Sequence, residues 1–233
     1  MNPQTQELTR WWTDTHQEIQ AAQAMWDAWT QPHREQSLAM ALHCLGPVQS
    51  VYELGCGSGP NLRLLKEKYP QPLTLGGSEP CEGMASFASE HLDIPIDREP
   101  LPAIPRGQWD VVFSCYTLAY IHPEDVIRVC KELAKSQTRA LILIEPQPSH
   151  AQGVGLYSRG PQVIPDWFHN YPLILANTGW TITWRWPVIP PIQALNGVLI
   201  AERPTHVPVA EAPSRVVSPL GAPPVAGTPL ILA

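Results

Sequence analysis

One eleven-residue stretch constrains this chain more than any other: Val51-Tyr52-Glu53-Leu54-Gly55-Cys56-Gly57-Ser58-Gly59-Pro60-Asn61. An apolar run leads into an acid, three glycines alternate with other residues, and a helix-forming segment follows. Glycines at this spacing let the backbone turn sharply out of a strand and let a ligand lie against the main-chain N–H groups that open the next helix. In an open α/β sheet such a turn lies beyond the carboxyl ends of the strands, where the strand order reverses and ligands bind. The dinucleotide fingerprint GxGxxG requires glycine three positions after Gly57, and Pro60 stands there. A nicotinamide cofactor is therefore disfavoured.

The flanking segments alternate in the same way. Strand patterns over 50–54, 73–78, 94–96, 110–114 and 140–144 are interleaved with helical patterns over 61–69, 81–92 and 124–136. Near-continuous apolar strands separated by helices predict a mostly parallel sheet covered on both faces, a doubly wound α/β domain. Beyond Glu145 a Gly- and Pro-rich loop leads to an expected helix over 165–178 and two strand-like runs, 180–186 and 197–201. Only the proline-rich stretch 187–193 separates these runs, too little for a helical crossover, so they should pair antiparallel.

Ahead of the glycine loop, residues 8–45 read as helical. Trp12, Ile19, Ala22, Trp26 and Trp29 are spaced by 7, 3, 4 and 3, and Thr15 and Glu18 have capping-box spacing. Pro32 breaks this stripe, and a second helix is expected over 33–44, ending at Gly46-Pro47. The expected organisation is an N-terminal helical cap over residues 1–46, a cofactor-binding domain over 47–203, and a tail over 204–233. Seven prolines in the tail, with Glu211 and Arg215 as its charges, predict a disordered or polyproline-like segment.

Composition narrows the function classes. A net charge of -6 leaves no basic footprint, which counts against nucleic acid and anionic lipid as partners. No run of 18 apolar residues exists and the first ten residues are polar, so neither a membrane span nor a signal peptide is expected, and the cytoplasm is the default location. Five scattered cysteines without a CxxC pair support neither a metal site nor a disulfide framework.

The order acid-x-Gly-x-Gly-x-Gly resembles the first motif of the class I S-adenosylmethionine-dependent methyltransferases. Three further stretches are similar to that family. Gly76-Gly77-Ser78-Glu79-Pro80-Cys81 ends a strand in an acid twenty residues beyond Gly59. Gln108-Trp109-Asp110-Val111-Val112-Phe113-Ser114, followed by Tyr116, Leu118, Ile121 and Pro123-Glu124-Asp125, looks like the fourth strand and the helix after it, and 140–146 like the fifth strand. The resemblance covers about residues 48–203 and implies a Rossmann-like, seven-stranded sheet ending in an antiparallel hairpin.

It also implies roles. Glu53 would orient the methionine amino group; Gly55, Cys56, Gly57 and Gly59 would admit the amino-acid part; Glu79, next to Pro80, would hold the ribose diol; Asp97 would reach the adenine amine. Ser114 and Tyr116 would lie beside cofactor and acceptor. The implied function is S-adenosylmethionine-dependent methyl transfer to a hydroxyl or amine of a small molecule or saccharide. Methyl transfer from a sulfonium is an in-line displacement that needs alignment and water exclusion more than a protein nucleophile. Tyr116, His122, Glu145 and His150 are the candidate bases near the expected rim. Pro80-Cys81 follows the second strand rather than the fourth, so it is not the catalytic dipeptide of the cytosine-C5 enzymes, and Ser114-Cys115-Tyr116-Thr117 lacks the paired prolines of the DNA amino-methyltransferases. A nucleic-acid or protein methyltransferase and a non-catalytic scaffold are the alternatives. Four tryptophans in 11–29 and four in 167–186 either pack peripheral elements or form a lid and an acceptor wall.

Overall fold

The computed structural model describes residues 1–28, 32–146, 157–159, 162–164, 167–187 and 196–203. Along the chain run α1 (Pro3–Thr15), α2 (Ile19–Ala28), α3 (Pro32–Leu45), β1 (Ser50–Leu54), α4 (Pro60–Lys68), β2 (Thr74–Ser78), α5 (Glu82–Leu92), β3 (Ile96–Asp97) and β4 (Val111–Cys115). A 3-10 turn (Leu118–Tyr120) leads to α6 (Pro123–Lys135), β5 (Ala140–Pro146), β6 (Tyr157–Arg159), β7 (Gln162–Ile164), α7 (Tyr171–Ala176), β8 (Thr181–Pro187) and β9 (Asn196–Glu202). Seven strands form one sheet in the order β3-β2-β1-β4-β5-β9-β8. The first five pair in parallel, and β9 runs antiparallel to both β5 and β8. The strand order reverses at β1, which places the loop after β1 at the crevice where such sheets bind ligands.

The two-residue period of the strands sorts the core into two layers. Val51, Val111, Phe113, Ala140, Ile142 and Ile200 face α3 and α4 through Leu38, Leu42, Leu62 and Leu65. Their neighbours Tyr52, Val112, Leu141, Leu143 and Leu199 face α6 and α7 through Val126, Val129, Leu133 and Leu175. Each fully buried side chain of this kind contributes about 1.5–3 kcal/mol. Because β4 and β5 are covered on both sides, their sequences Val111–Cys115 and Ala140–Pro146 read as nearly unbroken apolar runs.

The N-terminal region departs from its sequence reading. Thr15 does not cap a helix start: it closes α1, its hydroxyl donating to the carbonyl of Trp11 at 2.7 Å, while α2 begins with the N–H groups of Ala21 and Ala22 on the carbonyl of Glu18. Ile19, in the expected apolar stripe, is 68% exposed. Helix α3 packs on the sheet through Leu38, Ala41 and Leu42, so the layer over the strand ends consists of α1 and α2, joined to α5 through Ala22, Met84 and Phe87.

Three other differences have local causes. Helix α7 occupies only part of the expected 165–178, because Asn170 caps it through Leu173 N at 3.2 Å and Pro172 stands in its first turn. The third strand lies at Ile96–Asp97 rather than 94–96, since Pro95 lacks a donor and pairs only through its carbonyl, which accepts from Gly77 N at 3.3 Å. The small hairpin β6-β7 falls in a stretch read as loop. Trp29, His150, most of 187–193 and the tail 204–233 lie outside the described residues. Among the described residues no helix is long and apolar enough to cross a membrane.

Candidate functional site

The chain leaves β1 through three left-handed glycines: Gly55, Gly57 and Gly59 have φ of 64°, 56° and 86°. All three positions exclude a side chain as well as requiring the backbone freedom. A Cβ on Gly55 would strike the side chain of Thr117, and one on Gly57 would come within 2.5 Å of Met25 Sδ. Gly59 is the N-cap of α4 and abuts Leu92 and Ala88 of α5.

Around this loop lies a cavity of about 300 Å3, within the range of small-ligand sites. Its floor carries two acids. Glu53, at the end of β1, is 1% exposed and accepts from Asn61 Nδ2 at 2.7 Å. Glu79, just past β2, is 2% exposed; its Oε2 accepts from Gly57 N at 3.0 Å, and its Oε1 from Cys81 N at 2.9 Å and from the indole Nε1 of Trp12 at 3.0 Å. Burial pushes the Glu79 carboxyl up to about 7, against the pull of those three donors. Leu8, Trp11, Trp12 and His16 of α1 and its end roof the cavity, with Met25 of α2; Tyr116, Thr117 and Tyr120 form the wall toward β4. No Lys or Arg stands among its described lining residues, whereas Glu53, Glu79 and Glu99 do. The field suits a cationic ligand and opposes a pyrophosphate.

Comparison with known proteins agrees with this geometry. Residues 51–138 match the family model described as a methyltransferase domain. The class I methyltransferase fold is thereby assigned to this chain.

Solved structures of methyltransferases share the fold of this chain. A sugar N-methyltransferase from Streptoalloteichus superposes with a TM-score of 0.60 at 14% identity, covering 78% of this chain and 92% of that one. The 1,6-didemethyltoxoflavin-N1-methyltransferase of Burkholderia thailandensis, with 1,6-didemethyltoxoflavin and S-adenosylhomocysteine bound, gives 0.58 at 17% identity over 76% and 81%. The magnesium protoporphyrin IX methyltransferase of Synechocystis, with S-adenosylmethionine bound, gives 0.55 at 19% identity over 73% and 80%. A search of the curated proteins returns no match.

Among the residues singled out from the sequence, Glu53, Gly55, Cys56, Gly57, Glu79, Pro80 and Tyr116 all line the cavity. The other residues singled out from the sequence lie elsewhere. Asp97 accepts from the phenol of Tyr52 at 2.7 Å beneath the sheet edge. Ser114 is fully buried and donates to Glu145 Oε1 at 2.5 Å. Glu145 is also fully buried: Thr117 N and Leu118 N donate to Oε1 at 3.0 Å each, and Ala119 N to Oε2 at 3.3 Å. Four donors thus converge on one carboxylate, whose pKa burial raises to about 7. It organises the loop that carries Tyr116, a non-glycine residue held at φ 59°. His122 caps α6, its Nδ1 accepting from Glu124 N at 3.3 Å, and its ring meets Trp167 edge-on at 4.9 Å.

His16 and Thr117 line the cavity without having been singled out from the sequence. Nothing in a lone histidine at a helix end distinguishes it from a solvated one. His16 Nδ1 lies 2.9 Å from the carbonyl of Trp12, which can only accept, so Nδ1 carries a proton. Thr117 donates from Oγ1 to Gly55 O at 3.1 Å and so ties the β4 loop to the glycine loop.

Proposed function

We propose that this chain binds S-adenosylmethionine and transfers its methyl group to a hydroxyl or amine of a small molecule or saccharide. The observation that carries this reading is the pair of buried acids, Glu53 and Glu79, flanking the glycine loop on the floor of one cavity. Glu53 faces the place of an amino group and Glu79 that of a vicinal diol, and the ligand with both around a positive sulfur is S-adenosylmethionine. Neighbouring structures with that cofactor or its product bound support the same reading. S-adenosylmethionine supplies an electrophilic methyl group on a sulfonium.

The protein's part is binding, alignment and exclusion of water. Residues 47–203 would form the catalytic domain and 1–46 its N-terminal part, in a cytoplasmic enzyme. The aromatic wall of Trp11, Tyr116 and Tyr120 fits a flat or ring-shaped acceptor. Tyr116 in the wall and His16 in the roof are the proton acceptors in reach of the cavity, while His122 and Glu145 are engaged elsewhere.

A turnover screen with S-adenosylmethionine, detecting S-adenosylhomocysteine, tests the reading across amines, phenols and sugars; failure to form S-adenosylhomocysteine with any acceptor class would contradict it. A pH dependence provides a further check. A protonated Glu79 is a poorer acceptor for diol hydroxyls, so binding favours the ionised form, and burial raises this carboxyl from its ordinary 4.5 to about 7. Groups around it are the Cys56 and Cys81 thiols, Glu82 and the His16 ring stacked on Trp12. Affinity for S-adenosylhomocysteine should rise about tenfold per pH unit below 7, flatten above 8, and lose this slope in Glu79→Gln.

A further inference from the structure

Helix α1 crosses the mouth of the cavity and is fastened at both ends. At its start, Asn2 N donates to Asp125 Oδ2 at 2.7 Å, Asn2 Nδ2 to Glu124 Oε2 at 3.2 Å, and His122 N to Thr5 Oγ1 at 3.0 Å. At its end the Cys81 thiol donates to His16 O at 3.2 Å, and Gly83 comes so close that a Cβ there would strike the carbonyl oxygen of Gln17. Between these fastenings the Trp12 indole reaches down to Glu79 Oε1, with the His16 ring stacked on it at 4.0 Å.

An ionised carboxylate has about four acceptor sites. Three of those on Glu79 are filled, by Gly57 N, Cys81 N and Trp12 Nε1. A ribose diol brings two hydroxyl donors, so one present donor must leave before both can bind. Gly57 N is set by the left-handed turn at φ 56°, and Cys81 N by the start of α5. The Trp12 side chain is the donor that can move. We propose that α1 is a strap whose closed form competes with the cofactor for Glu79, so that the Trp12–Glu79 hydrogen bond and bidentate ribose binding exclude each other. This inference rests on the cofactor reading above.

The test is titration of the full chain with S-adenosylhomocysteine, by calorimetry for affinity and stopped-flow tryptophan fluorescence for rate. Trp12→Phe keeps a ring and deletes the donor, and its Kd should fall about tenfold, as expected for losing a competing hydrogen bond to a charged group. Thr5→Val loosens the far end of the strap without touching the cavity, and should raise the association rate severalfold. If wild type binds while Trp12→Phe binds equally or more weakly and Thr5→Val associates no faster, the strap is overturned and the cofactor reading stands. If none of the three proteins binds, the cofactor reading falls, and the strap with it.

Discussion

Glu79→Ala raises the Kd for S-adenosylhomocysteine by about 10- to 150-fold, the loss expected when hydrogen bonds to a charged acceptor worth about 1.5–3 kcal/mol disappear. The carboxylate is 2% exposed and is held from below by Gly57 N and Cys81 N, so it cannot be replaced by water without reshaping the glycine loop. Alanine also removes the anchor of Trp12, which partly offsets the loss. In a Trp12→Phe background the penalty is therefore larger, and the difference between the two backgrounds is the coupling between strap and ribose site. Calorimetric titration at pH 8, where Glu79 is ionised, measures both. An unchanged Kd in both backgrounds would remove Glu79 from the cofactor site.

The second large effect is on stability. Glu145→Ala leaves the Ser114 hydroxyl and the N–H groups of Thr117, Leu118 and Ala119 without their acceptor in a fully buried position. A buried network that loses its central charged partner costs about 3–5 kcal/mol, or roughly 10 °C in Tm for a domain of this size. Glu145→Gln keeps an oxygen for the three donors on Oε1 and meets only Ala119 N with its amide, so it should lose less than half as much. Thermal denaturation of both variants at pH 8 separates them; equal and small losses would show that the loop is held by other contacts.

Residues whose partners are close in sequence were legible before the structure. Strand periodicity, the glycine loop and the acid after β2 are local patterns, and in the fold Glu53, Gly57 and Glu79 line one cavity. Residues whose partners come from distant elements were not. Asp97 stands where a strand-end acid would face a ligand, yet Tyr52 from β1 takes its oxygen, a pairing no spacing predicts. Glu145 has the look of a rim base, but the left-handed turn at Tyr116 folds three successive N–H groups back onto it. The tryptophan stripe in the first helices signalled a packed or ligand-facing layer; that Trp12 donates to Glu79, 67 residues away, depends on where α1 crosses the sheet. The break between α1 and α2 was hidden because the helical spacing of apolar residues continues across it.

On this reading the cavity beyond β1 and β2 receives S-adenosylmethionine rather than a dinucleotide. Calorimetric titration of the intact chain with S-adenosylhomocysteine, with NADH under the same conditions, tests it most directly. Saturable binding of S-adenosylhomocysteine and none of NADH is the predicted result. Saturable binding of NADH, or no binding of S-adenosylhomocysteine by wild type or by Trp12→Phe, would contradict it.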